Sequence, residues 1–201
     1  KGDFSKAESY LCESLQLFKS LNDKKREGQL FSDLACIACH SGDFDTALKL
    51  LRQGRDIAIG LEIKRDIADA LQGFGLVHYA KKEFKQAATN FEDSLMLATE
   101  VQDLEGIATA LEGLASIAVQ EQKYPLAATL WGASVSLSQG SYLLKTFLRP
   151  QYDTDLEKAV TCLGEASYKK HFNQGQLLLT DDVVNLALKV QANDKRKAIK
   201  M

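Results

Sequence analysis

The sequence predicts an all-α protein built as a linear array of helical hairpins, and three observations carry that reading. Aromatic residues recur at Phe4, Phe44, Phe84 and Tyr124, each 40 residues after the last. An alanine keeps the same step at Ala7, Ala47, Ala87 and Ala127, and a bulky apolar residue keeps it at Leu11, Leu51, Phe91 and Trp131. Self-similarity at such a period points to units that stack because none can bury its apolar face alone. Only two prolines interrupt a chain rich in Ala, Leu, Glu, Lys and Gln, and no alternating Val/Ile run argues for a sheet.

Taken in order, residues 3–20 read as one helix, because Phe4, Ala7, Tyr10, Leu11, Leu15 and Phe18 share a face at steps of three and four. Asp3 has the short carboxylate of an N-cap. The next helix is predicted over 27–41, with Leu30, Phe31, Leu34, Ala35, Ile37 and Ala38 inward, and Gly42 ends it. Residues 44–60 close that hairpin. The cycle restarts over 65–81, where Leu71, Phe74, Gly75, Val77 and His78 take the inward positions. Small residues at Ala35, Gly75 and Ala115, facing Ala47, Ala87 and Ala127, allow neighbouring helices to approach closely. A third unit covers 104–138, with Pro125 in a first helical turn where a missing N–H costs nothing.

After Ser138 the period breaks. Residues 140–150 read as a connector, since Pro150 biases Arg149 away from helix. Three shorter helices are predicted near 152–163, 165–173 and 181–190, followed by a lysine-rich flexible tail. The resulting layout is a repeat array over 1–140 (a half repeat 1–20 and full repeats 21–60, 61–100 and 101–140), a helical cap over 141–191 and the tail over 192–201. Lys1 stands in mid-repeat, which reads as a fragment of a longer chain.

Composition narrows the function classes. A formal net charge of −2 offers no concentrated basic surface for nucleic acid or an anionic membrane. No apolar run approaches the roughly 18 residues of a membrane span. The expected setting is the cytoplasm, where Cys12, Cys36, Cys39 and Cys162 would be small core thiols and not disulfides. No Ser/His/Asp or paired-carboxylate constellation stands out, so no enzymatic activity and no cofactor are expected.

The series Leu34, Ala35, Gly42, Phe44, Ala47, Leu51, its counterpart Phe74, Gly75, Lys82, Phe84, Ala87, Phe91, and a third, Leu114, Ala115, Gln122, Tyr124, Ala127, Trp131, resemble the tetratricopeptide repeat in a long, 40-residue form. The extra length, in 61–68 and 101–108, is similar to the repeat regions of bacterial STAND-type and LuxR-type multidomain regulators. Leu130-Trp131-Gly132-Ala133, 163–168, Phe172, Gly175, Leu179-Thr180 and Ala187-Leu188 resemble the closing segment of those regulators. No GxxxxGK[ST] loop or helix-turn-helix accompanies them. The resemblance implies a right-handed α-α superhelix with an irregular helical cap, and a non-catalytic interaction or sensor module that controls a switch domain of the same chain. A stand-alone scaffold for a multiprotein complex is the alternative.

In such arrays the first helix of each hairpin lines the concave surface. By register, the resemblance then places Gln29, Ser32, Cys36, Cys39 and His40, next Asp69, Gln72, Leu76 and Tyr79, and last Glu112, Ser116, Val119 and Gln120 in a groove for a protein or peptide partner. Tyr79 and Leu76 would be apolar anchors among amides and carboxylates. Clustered Lys, Arg or Asn for a terminal carboxylate is absent from this set. Cys36-Ile37-Ala38-Cys39-His40 matches the C-x-x-C-H haem-attachment pattern. It lies inside a repeat helix whose counterparts lack it, and a metal site there lacks a fourth ligand. His78 reads as a packing histidine.

Overall fold

The computed structural model describes residues 4–138 and 149–199; the side chains of residues 149 and 190–199 are not described. The described residues form ten helices and no strand. The array comprises α1 (Phe4–Ser20), α2 (Lys24–His40), α3 (Phe44–Gly60), α4 (Lys64–Ala80), α5 (Phe84–Glu100), α6 (Leu104–Gln120) and α7 (Tyr124–Leu137). Then come α8 (Arg149–Leu163), α9 (Glu165–Gln176) and α10 (Thr180–Ile199).

The backbone repeats twice as fast as the sequence. Each helix from α1 to α6 is 17 residues long. A left-handed residue recurs every 20 residues at Asn22, Gly42, Glu62, Lys82, Gln102 and Gln122, with φ between 55° and 79°. At Gly42 the N–H donates to the Cys39 carbonyl at 3.1 Å, and the Asp43 N–H donates to that of Ala38 at 2.9 Å. This bond pair satisfies two orphan carbonyls of a helix end. The same pair recurs at the other five turns, for instance Lys82 N–H to Tyr79 and Glu83 N–H to His78. The sequence period is 40 because alternate helices bury different residues.

Two rows result. From α1 to α7 each helix packs on its neighbours in the chain, and α4 also touches α2 and α6, whereas α1, α3, α5 and α7 make at most marginal mutual contact. The even-numbered helices therefore form the inner row. Between the rows sits the core, where the repeating Ala47, Ala87 and Ala127 are fully enclosed with Leu51, Phe91 and Trp131. Phe91 projects from α5 between α4 and α6. A Cβ on Gly75 or Gly113 would stand 2.7 or 2.6 Å from its ring, so two glycines make room for one aromatic.

Beyond α7 the packing continues although the sequence period has lapsed. Helix α9 packs along α7 as extensively as α6 does. A Cβ on Gly132 would lie 1.9 Å from the Phe172 carbonyl oxygen, and one on Gly175 would lie 2.0 Å from that of Thr129. Backbone meets backbone at both points. Helix α10 lies on α5 and α7, while α8 turns onto α6, α7 and α9.

Several boundaries differ from the sequence reading. Helix α8 already begins at Arg149, with Pro150 in its first turn, where no N–H is required. That replaces the connector expected up to 150; residues 139–148 and the Asp3 cap lie outside the described residues. Helix α10 runs on to Ile199, past the expected end at 190 and into the segment assigned to the tail. Cys12 and Cys162 are exposed, not packed in a core. His78 is half-buried, and its Nδ1 lies 2.6 Å from Glu83 Oε2 across the α4–α5 turn.

Candidate functional site

The inner row offers two different surfaces. Toward the first turns of α2, α4 and α6 lies an open cavity of about 460 Å³. Gln29, Ser32 and Asp33 line it from α2, Asp66, Asp69 and Gln72 from α4, and Glu105 and Thr109 from α6. Its residues gather because equivalent positions stand one above another in successive units. The floor is held by the Gln72 amide, which donates to the Gly106 carbonyl at 2.9 Å, and by Arg65, whose Nε lies 3.0 Å from Asp103 Oδ2. Arg65 is thereby engaged by Asp103. Asp33, Asp66, Asp69 and Glu105 leave the cavity with an excess of negative charge.

Toward the last turns the inner row is covered by α8. Tyr152, Asp155 and Ala159 are its buried residues, spaced three and four apart along one stripe. Asp155, only 1% exposed, receives the hydroxyl of Tyr79 on Oδ2 and the Gln120 amide on Oδ1 at 2.7 Å. Gln151 approaches the same Oδ1 at 3.4 Å, and the Gln120 amide also lies 3.0 Å from the Tyr79 hydroxyl. Tyr152 meets the edge of Trp131 at 5.4 Å between ring centroids.

The electrostatics follow from burial. Desolvation pushes the Asp155 carboxyl above the usual carboxylate range, against the opposing pull of its hydrogen bonds from Tyr79, Gln151 and Gln120. The Lys158 ammonium also pulls it down, more weakly than these hydrogen bonds do. Burial, together with Asp155, holds the Tyr79 hydroxyl well above the ordinary phenol value, so it stays a donor.

The sequence-predicted residues therefore divide. Gln29, Ser32, Asp69 and Gln72 share the open cavity. Leu76, Tyr79, Glu112 and Ser116 are buried and present no open groove in this conformation. Leu76 belongs to the core, Glu112 accepts from the Ser134 hydroxyl at 3.0 Å, and Tyr79 and Gln120 grip α8. Val119 is enclosed as well.

Cys36 and Cys39 line a small apolar gap with Ala35, Leu51 and Leu76. His40 instead stacks on Phe4 of α1 at 4.4 Å. Among the described residues no cluster of His, Cys, Asp and Glu is placed to hold a metal ion. Asp155, Gln151 and Tyr152 were not among the expected site residues, and the signal was the spacing of Tyr152, Asp155 and Ala159. Asp33, Asp66 and Glu105 were also missed; Asp33 adjoins Ser32, and Asp66 stands one helical turn before Asp69, but Glu105 has no expected residue beside it or at the 40-residue step.

No protein-family model matches this sequence, and no curated protein matches it significantly.

Proposed function

We propose that this chain is a non-catalytic protein-interaction module of the tetratricopeptide type, serving a bacterial signalling or transcriptional regulator in the cytoplasm. It binds an extended or helical segment of a protein partner along the inner helix row. The open cavity of about 460 Å³, shared by α2, α4 and α6, supports this reading most strongly. Its chemistry selects the partner. Amide, hydroxyl and carboxylate groups line it, and its arginine is already engaged by Asp103. A peptide carrying Lys or Arg would meet a surface of opposite charge, with mutual attraction speeding encounter.

The test is binding of fluorescein-labelled peptides with interspersed lysines, against the same peptides with glutamate in place of lysine. The lysine series should bind the unmodified chain and weaken by about tenfold in Asp66→Asn/Asp69→Asn, and it should weaken further as salt screens the exposed charges. Equal binding of both series, or no effect of the double variant, would contradict the proposal.

A further inference from the structure

We infer that the α4–α6 half of the inner row is a helix-binding groove that α8 fills from within the same chain as a displaceable, autoinhibitory occupant. This rests on the reading of the inner row as the binding surface. Helix α8 and helix α9 are attached in different ways. The α7–α9 contact is made by backbone at Gly132 and Gly175, where no side chain fits, and it is built into the fold. Helix α8 lies on α6, α7 and α9, and its polar anchors to the inner row are side-chain bonds from Tyr79 and Gln120. One stripe, Tyr152, Asp155 and Ala159, is enclosed, while Thr154 and Glu157 face outward. That is how an amphipathic helix lies in a groove, with anchors on one face.

The centre of the seat is specific. A single carboxylate is held by a phenol and an amide from two successive units, Tyr79 and Gln120, while Lys158 of α8 itself adds only a weak charge attraction. A partner helix would therefore need an aromatic residue, a carboxylate three places on and a small residue four further, the pattern of Tyr152, Asp155 and Ala159. Release of α8 would uncover Tyr79, Ser116 and Gln120. Gln72 and Tyr79 stand two helical turns apart on α4, so the uncovered surface would join the open cavity.

A labelled peptide of residues 149–163 supplies the occupant in trans. Titrated into the full chain, it should bind the variant Tyr152→Ala/Asp155→Ala at least about tenfold more tightly than the unmodified chain, since the seated helix leaves only a fraction of receptor competent. Adding Tyr79→Phe and Gln120→Ala to that variant should abolish the gain. Equal binding by both chains, or no binding by a double variant whose helicity is intact, would overturn the inference. Should the double variant lose its helicity, amide exchange of the unmodified chain decides. Exchange of α8 ahead of α7 and α9 supports a displaceable occupant, and exchange together with them refutes it. The lysine peptides probe the open cavity alone, so their failure would remove the proposed function without altering these outcomes.

Discussion

At the scale of the residue, glycine and left-handed backbone do most to shape the array. Gly132 has no alternative, because a methyl group there would strike the Phe172 carbonyl. Gly132→Ala should lower stability by about 1–3 kcal/mol, as overpacking does. Gly60, at the end of α3, faces open space, and Gly60→Ala should be neutral or mildly stabilising, within about 1 kcal/mol. Urea unfolding of the two variants checks the contrast, and similar losses would contradict it. The six left-handed positions offer a second test. Gly42 takes φ 79° without strain, whereas Lys82 and Gln122 bear φ of 61° and 60° with a Cβ in place. Lys82→Gly or Gln122→Gly should therefore stabilise by roughly 0.5–1 kcal/mol, and Gly42→Ala should destabilise by about 1 kcal/mol. Much at this scale was legible: Gly42 announces its turn, and the alanines at 47, 87 and 127 announce close packing. The other five turns share Gly42's geometry without glycine, so their places were legible but their left-handed backbone was not.

At the scale of the element, α8 is the informative case. Its start is obscured in the sequence because Pro150 disfavours helix at Arg149, although a first-turn proline suits a helix. Its seat was obscured because Tyr79 and Asp155 are far apart in sequence, and no local pattern joins them. The array helices were legible to within a few residues because each buries a face at steps of three and four. Seating of α8 should also respond to pH. Burial raises the Asp155 carboxyl when α8 is seated, so the seated state binds the proton more tightly than the released state. Its contribution is full below the free value of 3.8 and falls as pH rises through the seated value. The groups facing Asp155 from the packed elements are Tyr79 of α4 and Gln120 of α6, with Gln151 and Lys158 on α8 itself. Trp131, the chain's single tryptophan, lies edge-on to Tyr152 and reports the change. Raising pH from about 4 to about 7 should shift its emission to the red, and Asp155→Asn should flatten that dependence. An unchanged profile in Asp155→Asn would assign the titration to another group.

At the scale of the whole molecule, stability should be graded along the row. Helix α1 has no buried residue, while α6 has an unbroken buried run from Gly106 to Val119. In an array each unit leans on its neighbours, so α1 should show the weakest amide protection and α5 to α7 the strongest. Uniform protection would contradict a graded array. The inner row was legible as a face because register assigned Gln29, Ser32, Asp69 and Gln72 to it. That half of it is filled by the chain's own helix was not, since the occupant lies outside the period. The most direct test of the inner row as the working surface is a ¹⁵N NMR titration of the full chain with the lysine-bearing peptide. Shifts should concentrate at Gln29, Asp66, Asp69 and Thr109 and leave the outer faces of α3 and α5 unmoved. Shifts concentrated on α3 and α5, with the inner row silent, would contradict it.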